Sequence, residues 1–90
     1  MAASVDPQIL EGVKQRLSEN GNFEETDATI SDFISDVIDY MIGAGVSYAV
    51  IISHIGVIAR GVDDMYVNGA GAAAFSPMFK NMVTQLVYRS

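Results

Sequence analysis

Residues 46–66 read VSYAVIISHIGVIARGVDDMY, and this stretch decides the fold. Ile51, Ile55, Ile58, Val62 and Met65 fall at i, i+4, i+7, i+11 and i+14, the spacing of one helix face. Ile52, Ala59 and Tyr66 widen that stripe, and Tyr48 extends it. The spacing predicts a single long helix with Ser47 as its cap, apolar on more than one side. Such a helix needs several partners, and the rest of the chain supplies shorter amphipathic segments to surround it.

Upstream, Asp6-Pro7 starts a first helix, because the aspartate can cap free amides and proline suits the first helical position. Ile9, Val13 and Leu17 line its face with Leu10 beside them, and Asn20-Gly21 is its stop. After an acidic loop, Asn22 to Glu25, a second helix is capped by Thr26 or Asp27. Ile30, Phe33, Ile34, Val37, Ile38, Met41 and Ile42 make its apolar face, and Asp32, Asp36 and Asp39 make the opposite, acidic one. Gly43-Ala44-Gly45 ends it.

Downstream, Asn68-Gly69 stops the long helix and opens VNGAGAAA, residues 67–74, whose small side chains offer little to anchor a loop. Ser76 caps a last helix with Pro77 at its first position. Met78, Met82 and Leu86 with Phe79, Val83 and Val87 form its broad apolar face, bordered by Tyr88. No period-two pattern survives long enough to make a strand. The expected architecture is all-α, a small bundle of four principal helices in one domain, residues 1–90. Within it, 67–75 is a Gly/Ala-rich loop and 76–89 a terminal helix.

Composition narrows the function. Ninety residues hold one small core, and 50% apolar residues exceed what so small a globule comfortably hides, so a partner or second copy should cover part of the surface. The net charge is -6 and unevenly placed. Residues 1–45 carry nine acids against Lys14 and Arg16, whereas residues 46–90 carry Asp63 and Asp64 against Arg60, Lys80 and Arg89. A protein that grips nucleic acid shows the opposite sign, so DNA near this one is passed rather than held.

Catalytic and metal chemistry find no support. There is no cysteine, and His54 is the only histidine, set in the most apolar part of the chain. It reads as a core or interface residue hydrogen-bonded through one ring nitrogen. Gly69-Ala70-Gly71 lacks the lysine and hydroxyl of a phosphate loop. Asp32, Asp36 and Asp39 lie on a regular helix rather than in a calcium loop, and read as a solvated face, a surface for a basic partner or the lining of a passage that repels DNA phosphate. A recognition helix would be basic, and residues 46–66 present isoleucines instead. The expectation is therefore no enzyme, no cofactor and no metal. MAASVDPQ lacks the features of a signal peptide. Tyr40 to Ala59 has no charged residue, but its glycines, serines and histidine fit two soluble helices better than a membrane span.

DPQILEGVKQRL, SDFISDVIDYMIGAGV, IARGVDDMY and FSPMFKNMVTQLVYRS together resemble the head–tail connector, or DNA-packaging adaptor, proteins of long-tailed bacteriophages and prophages. The most specific part is the gap after GVDDMY followed by Phe75-Ser76-Pro77 and a terminal QL before an arginine. The resemblance implies a non-enzymatic ring subunit at the virion head–tail junction, assembled in the host bacterial cytoplasm. Its implied partners are the portal protein, neighbouring copies of itself and a stopper or tail-completion protein. DNA would pass without sequence-specific binding, and no membrane is involved. By position, Phe75, Met78, Phe79, Met82, Leu86 and Arg89 become candidates for portal docking. Asp63, Asp64, Asn68, Gly69 and Gly71 become candidates for the intersubunit or stopper-facing surface, and Asp32, Asp36 and Asp39 for an acidic face along the DNA path. The alternative is a small acidic helical regulator that binds a single protein partner.

Overall fold

The structure, a computed structural model, describes residues 6–19, 26–69 and 74–90. Five helices account for most of them: α1 (Pro7–Glu19), α2 (Asp27–Ala44), α3 (Tyr48–Ile52), α4 (Ile55–Asn68) and α5 (Pro77–Val87). No strand occurs among the described residues, so the all-α expectation holds.

The helix ends follow local chemistry. The Gln8 N–H donates to the Asp6 carboxylate at 2.8 Å, and Thr26 accepts from the Thr29 N–H at 3.2 Å, so threonine is the cap of α2. Gly45 closes α2 in the left-handed region at φ 107°, where a side chain would be strained, and the Val46 N–H reaches back to the Met41 carbonyl at 3.0 Å. Val46 and Met41 are both buried, the apolar contact that accompanies this kind of helix end. Ser76 caps α5 by accepting from the Phe79 N–H at 3.2 Å, with Pro77 behind it. The stop at Asn20-Gly21, the acidic loop after it, and the middle of the small-residue loop lie outside the described residues.

The single helix expected over 46–66 is two helices. Ser47 does cap the first, accepting from the Val50 N–H, but the run ends after Ile52. The Ser53 hydroxyl donates to the Ala49 carbonyl at 2.9 Å, and His54 Nδ1 lies 2.8 Å from the Val50 carbonyl. A carbonyl can only accept, so Nδ1 carries the hydrogen. The ring thereby takes the acceptor that the His54 N–H would use in a continuous helix, and that N–H turns to Ile51 at 3.0 Å. His54 sits at φ -128°, ψ 59°, outside the helical region, and α4 begins afresh at Ile55.

This division lets α4 occupy the centre, packed on α1, α2, α3 and α5 alike. Ile58, Val62 and Met65 are sealed from solvent, as is Ile51 on α3, and each such side chain is worth about 1.5–3 kcal/mol of transfer free energy. Ile9, Val13 and Leu17 from α1, Ile30, Ile34, Val37 and Met41 from α2, and Phe79, Val83 and Leu86 from α5 complete one core. Gly61 leaves no room for a side chain where α4 packs on α2 and α5. A Cβ there would lie 2.8 Å from Phe79 Cε1 and 2.9 Å from Val37 Cγ1. The stripe is narrower than its sequence: Ile55 is half-buried, while Tyr48, Ile52 and Tyr66 are exposed.

Candidate interaction surfaces

The residues matched to portal docking divide between core and surface. Phe75, Phe79 and Leu86 are buried. Phe75 and Phe79 stack with Tyr40 of α2, with ring centroids 4.6 Å apart between the phenylalanines and 4.8 and 5.9 Å from Tyr40. These three therefore hold α5 to the bundle and offer nothing to a docking partner. Met82 is half-buried, and Met78 and Arg89 are exposed.

The intersubunit candidates divide in the same way. Asp64 is buried and accepts from the Ser76 N–H at 3.0 Å and the Ser76 hydroxyl at 2.8 Å, both on Oδ2. Arg60, one turn earlier on α4, pairs with it, Nε 3.6 Å from Oδ1. Asp64 is thus a fastener between α4 and α5 rather than a contact for another molecule. Asn68 makes a second fastener, its Nδ2 donating to the Ala74 carbonyl at 3.1 Å. Asp63 is half-buried and Gly69 is exposed at φ 91°. Gly71 lies outside the described residues.

Asp32, Asp36 and Asp39 are all exposed along one stripe of α2. Among the described residues the ion pairs are Lys14 with Glu11 and Asp27, and Arg60 with Asp64, so the stripe has no cation of its own. No group of three or more His, Asp or Glu side chains among the described residues could hold a metal ion. Nor is any helix of the described residues long and apolar enough to cross a membrane.

The surface that the sequence underplayed is apolar. Ile42, Tyr48, Ile52 and Tyr88 are 41–83% exposed. Ile42 is in the last turn of α2, Tyr48 and Ile52 are the first and last residues of α3, and Tyr88 directly follows α5. The Ser47 N–H donates to the Ser90 hydroxyl at 2.9 Å, and Gly45 faces Val87. Tyr66 and Val67, in the last turn of α4, and Met78, in the first turn of α5, are 42–70% exposed. Ile42 and Met78 each continue an apolar helical pattern, and nothing in that pattern marks where the covering neighbour ends. No protein-family model matches the chain, and neither a curated protein nor a solved structure matches it.

Proposed function

We propose that the chain is a structural subunit of a phage head–tail connector ring, docked under the portal protein and forming part of the DNA conduit. The observation that carries this reading is the separation of its exposed apolar side chains into two groups. Tyr88 marks one end of α5, to which the Ser47–Ser90 and Gly45–Val87 contacts bring the end of α2 and the start of α3, and Met78 marks the other, to which the Asp64–Ser76 bonds bring α4, about 15 Å apart along that helix. A ring closed by head-to-tail contacts needs two different surfaces on every subunit. A regulator with a single partner needs only one.

The unpaired stripe of Asp32, Asp36 and Asp39 supports the same reading. Like charge keeps a moving polyanion from being trapped on a wall it slides past. Within residues 75–89, Met78 and Arg89 are the candidates left free to meet the portal. The other partners are neighbouring copies and a stopper or tail-completion protein, at the head–tail junction of a virion assembled in the bacterial cytoplasm.

Electron microscopy of the protein mixed with the portal encoded in the same genome tests this. Added density coaxial with the portal, in the portal's symmetry, supports the connector reading. A folded, soluble protein that leaves the portal undecorated overturns it and favours the single-partner regulator, whose complex would have one copy of each component.

A further inference from the structure

The break between α3 and α4 is unusually slight. Ser53 keeps helical dihedrals, φ -82° and ψ -9°, so His54 alone leaves the helical region. Neither residue is proline or glycine, and neither has positive φ. The apolar spacing runs unbroken across the junction, from Ile51 to Ile58 and beyond.

The start of α4 also differs from the other helix starts. Asp6, Thr26, Ser47 and Ser76 each accept a hydrogen bond from the opening turn that follows them. His54 provides none to α4. In a continuous helix, the opening amides of α4 would instead meet the carbonyls of Ile51, Ile52 and Ser53. What opposes continuity locally is a pair of side chains, the Ser53 hydroxyl on the Ala49 carbonyl and the His54 ring on the Val50 carbonyl.

Straightening within one chain would carry α4 and α5 away from α1 and α2, against which α4 is packed. That cost vanishes if a second copy supplies the missing half. We propose that Ser53-His54 is a hinge for exchange between two copies of this chain. Residues 48–68 form one helix in each copy, and α4–α5 of each packs on α1–α3 of the other. The exchanged dimer keeps the α1–α4, α2–α4 and α2–α5 packing, now between chains, and gains the helical bonds that the hinge forgoes. This inference is independent of the ring reading.

The test compares the wild-type protein, Ser53→Ala/His54→Ala, and the same double variant carrying Gly56→Pro. Each is refolded from denaturant at high protein concentration and sized by light scattering, with cooperative melting as proof of folding. Alanine at both hinge positions frees the Ala49 and Val50 carbonyls and favours helix. It should raise the dimer-to-monomer ratio at least tenfold, since tenfold is about one hydrogen bond's net worth and each of the dimer's two hinges loses two opposing bonds, with dimers that persist on dilution. Gly56 is exposed at the second position of α4, in the uncapped first turn whose amides need no intrahelical partner, whereas in the fused helix proline there would lose the bond to the Ile52 carbonyl and clash with it. It should return the protein to monomer. A folded double variant that stays monomeric overturns the hinge, as does a dimer that survives Gly56→Pro. Rings made by surface contacts are insensitive to Gly56→Pro, which separates the two proposals. If the double variant does not fold, Ser53→Ala alone, at an exposed position, carries the same comparison.

Discussion

The Asp64 carboxylate holds Ser76 by two hydrogen bonds, 3.0 Å from the backbone N–H and 2.8 Å from the hydroxyl. Ser76 in turn caps α5 through the Phe79 N–H. A buried acid on α4 thereby fixes where α5 begins, and Arg60 beside it offsets the cost of burying its charge.

Asp64→Ala should destabilise the fold by about 2–3 kcal/mol, because charge-assisted bonds are lost and the Ser76 N–H is left without its acceptor. Ser76→Ala should cost about 1 kcal/mol as a lost cap, or more. The double variant should fall short of the sum, since both changes break one network. Urea unfolding of the four proteins checks this, and strict additivity would sink the shared network. Asp63→Asn, one residue away and half-buried, should change stability by less than about 0.5 kcal/mol.

Two glycine substitutions should have opposite signs. Helix propensity alone favours alanine over glycine by about 1 kcal/mol. At Gly61 the new Cβ would lie within 3.0 Å of Phe79 and Val37, and overpacking costs about 1–3 kcal/mol, so Gly61→Ala should be net destabilising. Gly43 on α2 has nothing within 4 Å of its Cβ position, so Gly43→Ala should stabilise. Thermal melts decide between the two effects, and a stabilised Gly61→Ala would show that Phe79 yields.

The two apolar groups can be separated from the core by substitution. Tyr48→Ser with Tyr88→Ser at one end, and Val67→Ser with Met78→Ser at the other, should each shift stability by about 0.5 kcal/mol or less per site. If these surfaces close the proposed ring, either pair should abolish its formation on the portal. Assembly that survives both pairs would leave these surfaces without a role in the ring.

Asp32→Lys, Asp36→Lys and Asp39→Lys together reverse the acidic stripe without touching the core. If that stripe faces the conduit, particles carrying the reversed chain should package or eject DNA more slowly, with the defect relieved by added salt. Normal rates in packaging and ejection assays would place the stripe away from the DNA.

The Lys14 ammonium is held above the ordinary lysine value of 10.5, chiefly by its hydrogen bond to Asp27 at 2.9 Å, with Glu11 at 3.7 Å adding to it. A raised folded value means that the pair's contribution is complete below pH 10.5 and is lost as pH rises through the folded value. Comparing urea midpoints of wild type and Lys14→Met on either side of that pH isolates the contribution. The difference should be small, since both side chains are solvated, and should vanish at the alkaline end.

Much of the fold was legible in the sequence because the signals are local. Asp6-Pro7, Thr26, Ser47 and Ser76 announce helix starts, and Gly45 and Gly69 announce stops, through contacts that reach no further than a turn. The faces of α1 and α2 followed from period 3.6 alone. Their central residues are buried, and only Ile42 at the edge of α2 is left in solvent. The candidate surfaces were less legible. Phe75, Phe79 and Leu86 resembled docking residues by position, and Asp64 resembled an exposed acid, yet all four are buried.

The sequence by itself determined an all-α chain, where α1, α2, α3 and α5 start and where α2 and α4 stop, and which residues can share a face, since each depends on neighbours within about four positions. Only the tertiary structure decided which apolar residues are covered, that 46–66 folds as two helices at His54, that Gly61 has no room for a side chain, and that Asp64 finds Ser76. The physical reason is that burial depends on what lies across the interface. A helix apolar on several sides has no preferred orientation until α1, α2 and α5 supply one.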